Sequence, residues 1–101
     1  MDTNVSEAGA AFFAGVEKIV HIRNELGLHA RPAARLAQAA QRFHSRITLE
    51  SEDLVADAKS ILDILSLAAG RGSSLVLRCC GEDQEQAAEH LAAIFSENER
   101  V

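Results

Sequence analysis

Pro32, the chain's only proline, lies five residues beyond Gly27, where a two-residue hydrophobic alternation gives way to a helical period. This pair fixes a strand-turn-helix junction. Before it, Lys18-Ile19-Val20-His21-Ile22-Arg23 alternates, setting Val20 and Ile22 on one face and Ile19, His21 and Arg23 on a solvent face. After it, Ala33, Leu36, Ala37, Ala40 and Phe43 form one helical stripe, and Arg31, Arg35, Gln38 and Arg42 the opposite one. Glycine permits the tight turn, and proline fits a first helical turn, where a missing N–H costs nothing.

His29 occupies this junction. The N–H groups of Ala30 and Arg31 point outward beside it, at a helix end that attracts anions, and the Arg31 guanidinium offers a fork matched to phosphate oxygens. The same helix end disfavours imidazolium, leaving a ring nitrogen available to take a phosphoryl group. A histidine standing alone here would read as a loop or cap residue.

The remaining chain supplies further elements. Arg46-Ile47-Thr48-Leu49-Glu50 and Leu54-Val55-Ala56 alternate as a second and third strand, joined by a turn at Ser51-Glu52-Asp53. Ser60, with Asp63 three residues on, resembles an N-cap with a weak capping box and opens a short helix carrying Ile61, Leu62, Ile64, Leu65 and Leu67. Gly70-Arg71-Gly72-Ser73 ends that helix, and Ser74 to Cys80 forms a fourth strand with Leu75, Leu77 and Cys79 inward. A last helix is expected from about Asp83, with Ala88, Leu91, Ala92 and Phe95 buried and Glu82, Glu85 and Glu89 wet. The order βαββαβα satisfies its apolar faces by laying helices on one side of an antiparallel sheet, an α+β architecture.

Two stretches carry a family resemblance. Gly27-Leu28-His29-Ala30-Arg31-Pro32-Ala33-Ala34 resembles the active-site signature of the HPr family, the histidine-containing phosphocarrier proteins of the phosphoenolpyruvate-dependent phosphotransferase system. Lys59 to Ala68 is similar to that family's second motif, a regulatory serine followed by a short apolar helix, at the family's separation from the histidine. The resemblance covers about Glu17 to Ser96 and implies an open-faced β-sandwich, a four-stranded antiparallel sheet with three helices on one face. It implies that His29 accepts a phosphoryl group on Nδ1 as a pros-phosphohistidine, stabilised by Arg31 and the backbone of Ala30 and Arg31. It further implies Ser60 as a regulatory site for a serine kinase/phosphorylase, and Ile61, Leu62, Leu65 and Arg35 as partner-docking residues. The donor is then phosphorylated Enzyme I and the acceptors are IIA-type domains. Such a carrier has no stand-alone catalysis and uses no cofactor. The alternative is a regulatory binding module whose Ser60 or His29 phosphorylation state signals to partner proteins.

Composition bounds these readings. At 101 residues and 48% hydrophobic, the chain can bury one core but not two. A formal charge of −5 without a basic cluster argues against nucleic acid as a partner. His44 and His90 lack a second ligand at helical spacing and read as surface residues, so no metal is expected. Cys79 and Cys80 are strand neighbours pointing to opposite faces, and they neither bridge each other nor carry metal-ligand spacing. Apolar runs are short and interrupted, and Met1-Asp2-Thr3-Asn4 lacks a basic n-region, so no membrane association and a cytoplasmic location are expected. Residues 1–16, with the apolar patch Ala10-Ala11-Phe12-Phe13-Ala14, form an extension expected to be mobile; 17–97 form the HPr-like domain and 98–101 a polar tail.

Overall fold

The computed structural model describes residues 14–52 and 54–97. Most of the expected N-terminal extension, the polar tail and Asp53 of the turn lie outside these residues. Seven elements follow the expected order: β1 (Val16–His21), α1 (Ala30–Ala40), β2 (Arg46–Ser51), β3 (Leu54–Asp57), α2 (Ile61–Ser66), β4 (Ser74–Cys80) and α3 (Gln84–Glu97).

Alternation in the strands produces a sheet with one dry and one wet face. The spatial order is β1-β4-β2-β3, with every neighbouring pair antiparallel. Val20, Ile47, Leu49, Leu75, Leu77 and Cys79 face the core, whereas Ile19 and His21 face solvent. All three helices cover the dry face, and Ala33, Leu36, Ala37, Ile64, Leu91 and Phe95 complete the core. On the wet face, Arg78 bridges strands, donating from Nε to Glu17 at 2.6 Å and from Nη1 to Glu50. Cys79 is buried, which pushes its thiol up to about 11, while Cys80 is exposed.

Several boundaries move. The first strand runs over Val16–His21 rather than Lys18 to Arg23, because its register with β4 runs from Val16 opposite Cys79 to His21 opposite Ser74. Phe43 lies beyond α1, half-buried rather than on the helical stripe, since the helix closes at Ala40 and Arg42 N–H turns back to Ala39 O at 3.2 Å. In α3 the buried set is Ala87, Ala88, Leu91, Ile94 and Phe95; Ala92 is only partly buried, so the stripe is rotated from the expected one. At the β2–β3 turn, where glycine is absent, Glu52 takes the left-handed conformation at φ 50°. Among the described residues no helix is long and apolar enough to cross a membrane.

Candidate functional site

Gly27 sits in the left-handed region at φ 73°, and a Cβ there would lie 2.5 Å from the Ala69 carbonyl oxygen and 2.9 Å from Gly70 Cα. Two constraints therefore demand glycine, the dihedral and the approach of a second loop. That second loop follows α2 and grips the first: Leu28 N–H donates to Ala69 O at 3.0 Å, Ile22 N–H to Ser73 O at 2.9 Å, and Gly72 N–H to Ile22 O at 2.9 Å. Gly27 N–H closes the turn on Asn24 O at 3.1 Å. His29 thus stands on a clamped loop.

His29 is the N-cap of α1, with extended backbone at φ −88° and ψ −170° and no side-chain capping hydrogen bond. Its carbonyl accepts the first helical bond, from Ala33 N–H at 3.0 Å. The amides of Ala30 and Arg31 precede that bond, and Pro32, buried at the third helical position, has no N–H to satisfy. Arg31 is exposed and makes no ion pair among the described residues, whereas Arg35, Arg71 and Arg78 each have a carboxylate partner. An imidazole, two amides and a guanidinium, none with a partner among the described residues, belong to the first residues of one helix end. Such a set can hold an oxyanion beside a ring nitrogen.

The Ser60 motif is built differently. Ser60 caps α2 by accepting Asp63 N–H at 3.1 Å. The return arm of the expected capping box is not made, because Asp63 Oδ2 instead accepts Asp57 N–H at 3.0 Å and Ser60 N–H goes to Asp57 O at 3.0 Å. Lys59 ties this corner to the end of α1: its Nζ donates to Phe43 O and its carbonyl accepts from Gln41 Nε2, each at 2.8 Å. The start of α2 is therefore fixed to the end of α1, and the segment after α2 to the His29 loop. A single short helix spans the two motifs.

Along that helix Leu62 is 77% exposed, Ile61 is exposed and Leu65 is half-buried, leaving Ile64 to fill the core. Leu26, on the His29 loop, is as exposed as Leu62. Arg35, exposed on α1, donates from Nη2 to Glu97 Oε1 on α3 at 2.6 Å. Asn24, in the same turn as Leu26, is buried, and its side-chain amide has no hydrogen-bond partner among the described residues. His44 and His90 are exposed.

Comparison with known proteins agrees with this construction. Residues 16–97 match the PTS-HPr family model, described as the PTS HPr component phosphorylation site. The chain is 45% identical over 80 residues to the HPr-like protein Crh of Halalkalibacterium halodurans, covering 79% of this chain and 95% of that one. It is 42% identical over 80 residues to the phosphocarrier protein HPr of Treponema pallidum, covering 79% and 91%. A crystal structure of the phosphocarrier protein HPr from Bacillus anthracis superposes with a TM-score of 0.77 at 45% identity, covering 81% of this chain and 98% of that one.

Proposed function

We propose that this chain, which belongs to the HPr family of phosphocarrier proteins, carries its phosphoryl group on His29, receiving it from phosphorylated Enzyme I and passing it to IIA-type domains. The observation that carries this reading is the open α1 N-terminus, where His29 caps the helix without spending its ring on a capping bond. Attack by Nδ1 on the phosphorus of the donor forms the N–P bond as the donor's bond to phosphorus breaks. The dianionic group then lies beside the amides of Ala30 and Arg31 and the Arg31 guanidinium, which stabilise it without providing a further nucleophile. Ile61, Leu62, Leu65 and Leu26 form the apolar part of the docking surface in this reading, with Arg35 at its charged rim.

A second reading has support of its own. Two curated relatives are named HPr-like protein Crh, and Ser60 occupies a hydroxyl-bearing cap beside exposed Ile61 and Leu62, where a kinase can reach it. In that reading the chain signals to partners through the phosphorylation state of Ser60 or His29. Retention of His29 with its open helix end favours the relay.

Incubation with phosphoenolpyruvate and purified Enzyme I, followed by mass, tests the assignment. Wild type is expected to gain one phosphoryl group that is lost in acid and kept in mild base, as a phosphoramidate is. An acid-stable group would point to serine.

A further inference from the structure

A groove of about 420 Å³ runs between α1 and α3, lined by none of the residues assigned to the phosphoryl group. Its ends are set by residues seven apart on each side, Arg35 and Arg42 facing Glu97 and His90. At one end Arg35 Nη2 donates to Glu97 Oε1 at 2.6 Å. At the other, the His90 ring rests against Phe43 with centroids 5.8 Å apart and planes tilted by 56°. On α3 the seven residues from His90 to Glu97 separate these ends by about 10 Å at helical rise. Ala39 and Ile94 make the apolar floor between them.

The two ends differ in charge balance. Arg35 is matched by a carboxylate of the chain itself, whereas Arg42 and His90 make no ion pair among the described residues. The Arg35–Glu97 pair is weakly held, since its side chains are 48% and 58% exposed and Glu97 ends α3, where the helix carbonyls disfavour a carboxylate. Glu97 thus marks where an acid fits and leaves that place open to a competitor. The lining holds two guanidiniums, Arg35 and Arg42, against one carboxylate, Glu97, so its balance is positive on a chain of net charge −5.

We propose that this groove binds a small organic dianion with one acidic group at each end of a short carbon body. One end is held by Arg42 and by a ring N–H of His90, which that imidazole offers in either protonation state; the other is held by Arg35 in place of Glu97. The body lies on Ala39 and Ile94. Binding is non-covalent and does not depend on the chemistry assigned to His29.

Titration of the isotope-labelled full chain with adipate, glutarate, inorganic phosphate and glycerol, followed at the His90 ring and arginine side-chain resonances, tests it. Saturable shifts are expected with the two dianions, about tenfold weaker binding with inorganic phosphate, which has only one end, and none with glycerol. Arg42→Gln should weaken dianion binding by about tenfold or more, and Glu97→Gln should tighten it by removing the internal competitor. Both positions are exposed, so neither substitution opens the core. Failure to saturate by about 10 mM, a range in which even weak complexes form, would overturn the proposal. So would inorganic phosphate binding as well as the dianions, or Glu97→Gln leaving their affinity unchanged or lower.

Discussion

The first helical turns of α1 and α2 are capped in opposite ways. Ser60 turns its side chain inward to accept an amide of its own helix, at 3.1 Å from Asp63 N, while His29 caps α1 through its backbone alone and leaves its ring out of the helix. A closed cap stabilises the helix it begins. An open cap keeps its donors for something else, and Ala30, Arg31 and the Arg31 guanidinium are those donors here. Substitutions at the two ends should therefore separate: those at α1 change phosphoryl transfer with little effect on folding, and those at Ser60 act on helix stability and docking.

The largest effect is expected for His29→Ala. Phosphoryl acceptance from Enzyme I should vanish, while stability stays within about 0.5 kcal/mol of wild type, because the ring makes no capping bond. Label on the alanine variant would remove His29 from the relay. A large fall in melting temperature would show instead that the α1 end is structural like the other.

Arg31→Ala should come next. Loss of charge-assisted contacts at about 1.5–3 kcal/mol each lowers transfer in both directions by about 10- to 100-fold, and lysine restores only part because it lacks the planar fork. Wild-type rates in a reconstituted relay would make Arg31 an ordinary surface cation.

At Ser60 the expected changes are smaller. Ser60→Ala removes the cap and should cost about 1 kcal/mol without abolishing phosphorylation of His29. Ser60→Asp keeps an acceptor for the Asp63 amide, and the helix end favours its charge. Asp63 Oδ1, 3.4 Å from Ser60 Oγ, opposes that charge, so thermal stability should stay near wild type. The cost falls on association with Enzyme I, since a charge beside Ile61 and Leu62 must be desolvated in the complex. Equal affinities of wild type and Ser60→Asp for Enzyme I would make Ser60 a cap without a switch; a collapsed melting temperature would trace any loss to unfolding.

What was legible in the chain follows from how local each feature is. The Gly27 turn, Pro32 in the first turn of α1, the Ser60 cap and the inward set Leu75, Leu77 and Cys79 are all governed by spacing of a few residues, which a sequence displays. The return arm at Asp63 failed because Asp57, six residues back, offered that carboxylate an amide. The pairing of Arg35 with Glu97 is not legible, since the two lie 62 positions apart and become neighbours only when α1 and α3 pack. The second reason that Gly27 must be glycine, the approach of Ala69, is likewise tertiary. The exposure of Leu26 and the burial of Asn24 are not legible either, because a turn signal says where the backbone bends, not which side chains it exposes or buries.

A third helix beginning sharpens the contrast between the first two. Asp83 precedes α3, and its carbonyl accepts Ala87 N–H at 3.0 Å, but its carboxylate reaches across the chain. Oδ2 accepts His44 N–H at 2.9 Å, while Oδ1 accepts Ser45 N–H at 2.9 Å and Ser45 Oγ at 2.6 Å, joining the start of α3 to the start of β2. These bonds, with the Ser45 hydroxyl foremost, lower the carboxyl from 3.8 to about 2. Because the folded value lies below the unfolded one, the contribution to stability is complete above about pH 4 and disappears as pH falls through about 2. Asp83→Asn should therefore be less stable than wild type at neutral pH, with the gap between their denaturant midpoints narrowing as pH falls through that window. Phosphoryl acceptance by His29 should be unchanged at neutral pH, since this tie holds the chain beyond the C-terminus of α1 and His29 caps the opposite end of that helix. A gap that stays constant from neutral pH to pH 2 would mean that the carboxylate's charge contributes nothing and only the shape of the side chain matters.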